Sequence, residues 1–309
     1  LSQISDDINK ITQDKKKPWM DSIRVVCDTY QSIMDMAENH DTQVGVNTGF
    51  NEVDKALNGL RPGSLTIIAA RPAMGKTAFA LNILLNAALK QMRRCLFFSL
   101  EMSAEELSYR IISQLSDINS TALKKGALSS EEWDRLLQFL VSFQESNVKL
   151  QIDETPAIEI AMIADRAKSV ARIQGCDMVV IDYIQLVRSG NKRVGSREQE
   201  IADISRSLKC LAKELKIPVI ALAQLNRNVD SRPDKRPFLS DLRESGSIEQ
   251  DADTVLFLHR EEYYNPTADN KGKAEVIIAK QRSGPTGTIN LLWDGEHTRF
   301  KDIPTQNEF

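Results

Sequence analysis

The sequence is poor in cysteine, histidine and aromatic residues, and each shortage narrows what the protein can be. Its four cysteines, Cys27, Cys95, Cys176 and Cys210, are scattered with no C-x-x-C pair among them. Such spacing offers neither a disulfide framework nor a zinc site, so they read as small buried residues in a reducing compartment. The three histidines, His40, His259 and His297, stand far apart and suggest no zinc centre either. No apolar run approaches the roughly 18–20 residues needed to span a bilayer, and the start lacks a basic-then-apolar signal pattern. No membrane partner and a cytoplasmic setting are the expectation. A net charge of −3 argues against a uniformly basic nucleic-acid binder. It leaves room for a local basic stripe inside a ring, where several subunits each add a few Lys and Arg.

What is present is an ordinary globular composition, 41% hydrophobic and 27% charged over 309 residues, enough for one or two domains with a sizeable core. The chain begins at Leu1 and not Met, which reads as a fragment or a processed protein. Residues 1–18 are polar and pass through Lys15, Lys16 and Lys17 into Pro18, the composition of a linker. Over 20–37 the apolar positions Ile23, Val26, Tyr30, Ile33 and Ala37 recur at three- and four-residue steps, the mark of an amphipathic helix. Its apolar stripe packs either on its own domain or on a neighbouring subunit. The polar stretch NHDTQVGVNTG that follows favours the neighbour.

From residue 45 onward, short apolar runs alternate with helical periodicity. The runs are LTIIAA (65–70), CLFFSL (95–100), VKLQI (148–152), MVVID (178–182), PVIAL (218–222) and TVLFL (254–258); helical stretches fill 76–91, 103–115, 130–144, 157–173 and 198–215. That alternation predicts an α/β fold with a mostly parallel sheet flanked by helices. In the last third, EVIIAK (275–280), QRSGPTG (281–287) and TINLLW (288–293) read as two strands joined at a hairpin, an antiparallel extension at one edge.

The chemistry concentrates at ARPAMGKT, residues 70–77, directly after one strand and opening a helix. A P-loop needs that context, because its backbone N–H groups and the helix start together cradle phosphate. The cradle comprises Ala70, Arg71, Pro72, Ala73, Met74, Gly75, Lys76, Thr77 and Ala78. Gly75 lets the backbone approach the phosphates, Lys76 reaches the β- and γ-phosphates of ATP, and Thr77 places its hydroxyl on Mg²⁺. Position 70 carries Ala where the usual pattern has Gly. Asp182 closes the run MVVID, where a second carboxylate would serve the Mg²⁺. Glu101 closes CLFFSLE, where it either polarises an attacking water or serves as a helix-start charge near Ser103. Gln224, after 218–222, is either a sensor of γ-phosphate or polar surface.

Two loops are basic. LVRSGNKRVGSRE (186–198) holds Arg188, Lys192, Arg193 and Arg197; RNVDSRPDKRPFLSDLRESGS (227–247) holds Arg227, Arg232, Lys235, Arg236 and Arg243. Basic, glycine-containing loops can track a phosphate backbone. Yet neither has interleaved aromatics, and Asp230, Asp234 and Asp241 favour ordinary solvated loops. Finally, AKQRSGPTG (279–287) puts Lys280 and Arg282 at the hairpin, either as an arginine finger for a neighbour's site or as charge protecting an edge strand.

Taken together, these segments resemble the motor domain of DnaB-type replicative helicases. The resemblance is carried by TGFNEVDKALNGLRPGSL (48–65), ARPAMGKTAFALNI (70–83), FFSLEMS (97–103), VVIDYIQL (179–186), ALAQLNR (221–227), DLRESGSIEQDAD (241–253) and EVIIAKQRSGPTG (275–287), and runs from about residue 20 to the end. It implies a RecA-like P-loop ATPase over 45–309, preceded by an interdomain linker (1–44) whose helix, about 20–38, docks on the next subunit. It implies Lys76 and Thr77 on phosphate and Mg²⁺, Asp182 as the Walker B acid, Glu101 activating water and Gln224 sensing phosphate. Lys280 and Arg282 would act in trans on the adjacent subunit's ATP. Arg243, Glu244 and Gly246 match the loop that holds single-stranded DNA, with Arg188 and Arg193 as further strand contacts. The implied assembly is a homo-hexamer with a helicase loader as partner, and with primase bound mainly through an N-terminal domain absent from this sequence. The alternatives are a RecA-type recombinase-like ATPase that does not unwind, and a non-catalytic nucleotide-binding scaffold.

Overall fold

The structure, a computed structural model, describes residues 21–38, 45–190 and 195–304. The chain divides into two compact units, Leu1–Gln43 and Val44–Phe309. In the first, helix α1 (Ser22–Glu38) opens with Asp21 accepting the Ile23 N–H at 3.1 Å. Its apolar stripe is exposed, Ile23 at 72% and Val26 at 67%, with Tyr30 and Ile33 likewise in solvent. The polar stretch 1–18 lies outside the described residues.

In the second unit the described residues build one nine-stranded sheet. Its strands are β1 (Leu65–Ala70), β2 (Cys95–Ser99), β3 (Leu150–Asp153), β4 (Met178–Asp182), β5 (Val219–Gln224), β6 (Thr254–His259), β7 (Lys273–Gln281), β8 (Gly287–Asp294) and β9 (Arg299–Lys301). Their order is β3-β2-β4-β5-β1-β6-β7-β8-β9, parallel through β6 and antiparallel from β7 onward. This is the mostly parallel sheet with an antiparallel extension that the run pattern predicts.

Full burial of β1, β2 and β4 explains why these strands read as continuous apolar runs. Side chains alternate between two cores: Ile68, Phe97, Val180 and Leu222 face one, while Ile67, Phe98, Ile181 and Ala221 face the other. Strands β7 and β8 instead show the mixed burial of a sheet covered less completely.

Two helices position the site. α2 (Asn51–Leu57) is too short to show helical periodicity in sequence, and α3 (Lys76–Leu85) continues through a π-helical turn at Asn86–Lys90. Next come α4 (Ala104–Ser116), α5 (Ser120–Lys125), α6 (Ser130–Glu145), α7 (Ile160–Ile173), α8 (Arg197–Leu215), α9 (Gly246–Asp251) and α10 (Glu261–Tyr264). At the head of α4, Ser103 and Glu106 form a reciprocal capping box. The capping role considered for Glu101 therefore belongs to Glu106.

The expectation that all four cysteines are buried needs correcting. Cys95 and Cys176 are buried, and burial pushes their thiols up to about 12 and about 11. Cys27 and Cys210 are exposed. Cys210 sits on the solvent side of α8, whose inner face is made by Ile201, Ile204, Leu208 and Leu211. Among the described residues no helix is long and apolar enough to cross a membrane.

Phe79 fastens α3 to its surroundings. It is fully buried, stacks on Phe50 at 4.9 Å between centroids and meets Phe300 edge-on at 5.4 Å. Phe79→Ala removes both ring contacts and leaves a cavity beneath the helix that carries Lys76 and Thr77. A loss of about 3–5 kcal/mol is expected, to be read as a lowered urea midpoint at unchanged slope.

Candidate nucleotide-binding site

The loop between β1 and α3 runs over a cavity of about 490 Å³ at the carboxyl ends of the strands. Gly75 adopts φ of 94°, and a Cβ there would meet the Phe300 ring at 2.9 Å. Glycine is needed at this position both for the backbone angle and for the space. Ala70, by contrast, is the last residue of β1, paired in parallel with Gln224. It lies in regular strand, so nothing at this position calls for glycine.

Three groups converge at the start of α3. The Thr77 hydroxyl donates to Asp182 Oδ2 at 2.6 Å. Lys76 Nζ lies 3.4 Å from Asp182 Oδ1, 3.8 Å from Glu101 Oε2 and 4.0 Å from the centre of the Tyr183 ring. Asp182 is fully buried behind Lys76 and Thr77, and its Oδ1 has no hydrogen-bond partner among the described residues. The Lys76 ammonium at 3.4 Å is its ionic partner, and a buried carboxylate oxygen without a hydrogen bond still favours a cation or an ordered water. The Thr77 hydroxyl and this oxygen thus form a donor set of the hard-oxygen type that suits Mg²⁺. Glu101 is half-exposed and faces the cavity.

The cavity wall includes Ala70, Arg71, Pro72, Ala73, Gly75, Lys76, Thr77 and Ala78 from the loop and helix start. Met74 departs from the expected cradle. Its side chain is buried in the core below the loop, leaving only backbone to face a ligand. Gln224 is also on the wall. Its backbone is clasped by Gln185, which accepts the Gln224 N–H at 3.2 Å and donates to its carbonyl at 3.1 Å.

Several wall residues escaped the sequence reading. Arg110, from the middle of α4, lines the cavity, and burial pushes its guanidinium below the usual value against the pull of Asp182, Glu101 and Glu106. Trp293 and Thr298 come from the antiparallel extension, and the buried Thr298 hydroxyl lacks a partner among the described residues. Two arginines brace the loop itself. Arg71 holds Asp230 at 2.6 Å and the Leu225 carbonyl at 2.9 Å, while Arg260, stacked over Trp293, donates to the Ala73 carbonyl at 3.2 Å. Against the upward push of burial, hydrogen bonds from Arg71 and Tyr264 hold the Asp230 carboxyl below its ordinary range. A pairing of Arg71 with a residue so distant in sequence leaves no local signature.

Lys280 and Arg282 are not brought to this cavity. Lys280 pairs with Val255, and Arg282 follows Gln281, the partner of Thr254 at the beginning of β6. Because β6 runs parallel to β1, both cations sit at the amino ends of the strands, away from the loop of their own chain.

The basic loops are only partly described. Arg188 is exposed, with its N–H donating to the Ile158 carbonyl. Lys192 and Arg193 lie outside the described residues. Around Arg243, Glu244 and Gly246 the backbone passes from a 3-10 stretch, Leu239–Ser245, into α9; their side chains lie outside the description. Neighbouring cations are spent internally, Arg232 on Asp241 at 2.7 Å and Arg236 on Glu275 at 2.6 Å.

Comparison with known proteins agrees with this geometry. A family model for the DnaB-like helicase C terminal domain matches residues 45–302. The replicative DNA helicase DnaB of Geobacillus stearothermophilus is 44% identical over 98% of this chain. The replicative DNA helicase DnaC of Bacillus subtilis is 42% identical, also over 98% of this chain. The chain spans 66% of the length of each of these relatives. Among solved structures, an ATPase domain superposes with a TM-score of 0.84 at 37% identity, covering 90% of this chain and 99% of that one. A DnaB-like replicative helicase studied with primase superposes at 0.83 with 35% identity, covering 97% of this chain and 71% of that one. The fold is RecA-like, and the chain belongs to the DnaB-like helicase C-terminal domain family.

Proposed function

We propose that this chain is the ATP-driven motor of a replicative DNA helicase, working in the cytoplasm as a ring, a homo-hexamer, that encloses single-stranded DNA. One observation carries the reading. Lys76, Thr77, Glu101 and Asp182 meet at one end of the sheet, whereas Lys280 and Arg282 stand at the other. A phosphoryl-transfer site completed by such cations needs a second copy of the chain. Residues 45–309 are then the motor, and 1–44 the linker that ties one subunit to the next. The exposed apolar stripe of α1 supports docking on a neighbour. A helicase loader and primase are the partners this reading implies.

In the mechanism the loop 71–75 and the amino end of α3 receive the phosphates of ATP. In the structure the Lys76 ammonium is shared between Asp182, Glu101 and the face of Tyr183. The β- and γ-phosphates draw it away and leave Glu101 free to accept a proton from water. The water oxygen bonds to the γ-phosphorus, the bond to the β-phosphate oxygen breaks, and the proton goes to Glu101. Thr77 and Asp182 would hold Mg²⁺, which when bound supplies charge neutralisation at the phosphate oxygens. Lys280 and Arg282 of the adjacent subunit stabilise the charge on the transferring group.

Hydrolysis reaches the strand through the Gln185–Gln224 clasp, because the loops after β4 and β5 both begin there. Arg243, Glu244 and the backbone at Gly246, with Arg188 and Arg193, would hold the strand phosphates. The helix that follows Gly246, α9, ends on carbonyls that hold Lys280 and Arg282. Strand contact and trans-acting cations therefore share one short element.

Unwinding of a forked DNA with a free 5′ tail is the direct test, with activity dependent on ATP and abolished by chelating divalent cations. ATPase stimulated by single-stranded DNA with no strand separation would point instead to a strand-coating ATPase. Lys76→Ala should lower turnover about a hundredfold or more, and Arg282→Ala about a thousandfold with nucleotide binding retained. Mixing these two inactive chains should restore turnover, since each supplies what the other lacks. A mixture that stays silent rules out action in trans.

A further inference from the structure

The cations assigned to the neighbour's ATP are themselves held by a single segment, residues 249–253. Lys280 Nζ donates to the carbonyls of Glu249 at 2.5 Å and Ala252 at 2.9 Å. Glu249 lies in the last turn of α9 and Ala252 directly follows that helix, where helical backbone leaves acceptors unpaired. Arg282 Nη2 donates to the Gln250 carbonyl at 2.9 Å, and its Nη1 lies 3.5 Å from Asp253 Oδ1. The Arg282 backbone is tied to the same residue, its N–H donating to the Asp253 carbonyl at 2.9 Å.

Asp253 is in turn fixed from the other side. Its Oδ2 accepts from the Leu65 N–H at 2.7 Å and from Lys209 Nζ at 2.5 Å. Those partners lie on β1, whose far end leads into the phosphate loop, and on α8. The segment is anchored as well: Ile248 is fully buried, and the Ser205 hydroxyl donates to Asp251 at 2.7 Å. Arg282 itself is half-exposed, beside an open cavity of about 210 Å³ that Lys209 and Asp253 also line. Among the described residues, the acceptors of 250–253 are what restrains its guanidinium, which otherwise has room to turn.

We propose that Asp253 is a positioning residue for hydrolysis in the adjacent subunit: its carboxylate, braced by Lys209 and the Leu65 N–H, holds Arg282 in the orientation that the neighbour's γ-phosphate requires. This rests on the trans role of Arg282. Asp253 touches no part of its own chain's nucleotide cavity, so its effect passes wholly through the cation it holds. A displacement of about 1 Å in a catalytic group can cost about a hundredfold in rate, and without the carboxylate the guanidinium keeps the Gln250 carbonyl as its acceptor and loses the charge that orients it.

Asp253→Asn is the informative variant, because the amide oxygen still accepts from Leu65 and Lys209 while the charge facing Arg282 is gone. ATP turnover in the presence of a single-stranded oligonucleotide should fall about a hundredfold, with nucleotide affinity unchanged. Added to Arg282→Ala, it should cause no further loss. Mixed with Lys76→Ala chains, which lack a phosphate cradle but keep an intact Asp253 and Arg282, the Asp253→Asn chains should recover turnover. Wild-type turnover in Asp253→Asn overturns the proposal. So does a loss that Lys76→Ala chains fail to rescue, which would place the damage in the variant's own site. If Arg282→Ala chains are not rescued by Lys76→Ala either, the trans reading itself has failed and takes this proposal with it. That outcome is recognisable without any Asp253 variant.

Discussion

The carboxylate of Asp182, wholly enclosed at the end of β4, is the constraint around which this domain is arranged. A carboxylate without solvent is tolerated only where partners replace the lost water. Here the Thr77 hydroxyl and the Lys76 ammonium do so, one at 2.6 Å and the other at 3.4 Å. Both come from the first turn of α3, so the start of that helix must stand directly over β4. The strand order meets this requirement: β2, β4, β5 and β1 are successive neighbours, and their carboxyl ends present Glu101, Asp182, Gln224 and the phosphate loop side by side. In open parallel sheets, ligands settle at this edge because loops diverge there and leave a crevice.

The opposite edge of the sheet has a different chemistry. There Asp253 gathers Lys209, Arg282 and the first N–H of β1, so charge at the amino ends is compensated within the chain. Burial, and after it the neighbouring charge of Arg282, pushes the Lys280 ammonium down. The antiparallel extension thus does two jobs from its two ends: β7 presents Lys280 and Arg282 at one, and β8 and the turn after it deliver Trp293 and Thr298 to the nucleotide cavity at the other.

What could be read from the sequence follows from how locally each feature is encoded. The phosphate loop is contiguous and framed by a strand and a helix, and Asp182 and Glu101 each end an apolar run, so all were visible. Ala70 looked like a departure but sits in plain strand, where a methyl group costs nothing. Arg110 lies mid-helix between Tyr109 and Ile111, and its role as cavity wall depends on where α4 packs. Arg260, Trp293 and Thr298 reach the site only through the pairing of β6 to β9, which no local pattern encodes. Met74 failed in the other direction: a residue inside the motif turned inward because the loop needs an apolar root in the core. Cys210 was misjudged because composition says nothing about which face of a helix a residue occupies.

The basic loops show most clearly why charge counting misleads. From composition, Arg232 and Arg236 look like the charges of an ordinary solvated loop. In the fold Asp241 and Glu275 engage them and so tie the 227–241 segment to itself and to β7. These partly buried pairs fix the course of the chain, and that course leads into α9. The same economy holds for Arg71, whose bond to Asp230 joins the phosphate loop to this segment. Cations near the nucleotide therefore serve mainly as struts between the loop, the segment after β5 and the helix beneath Arg282. Among the described residues, Arg71, Arg232, Arg236 and Arg260 are engaged in this way. Under the ring reading, grip on a strand comes from repetition of a small contact around the channel, with the struts keeping each copy of that contact in register with its nucleotide.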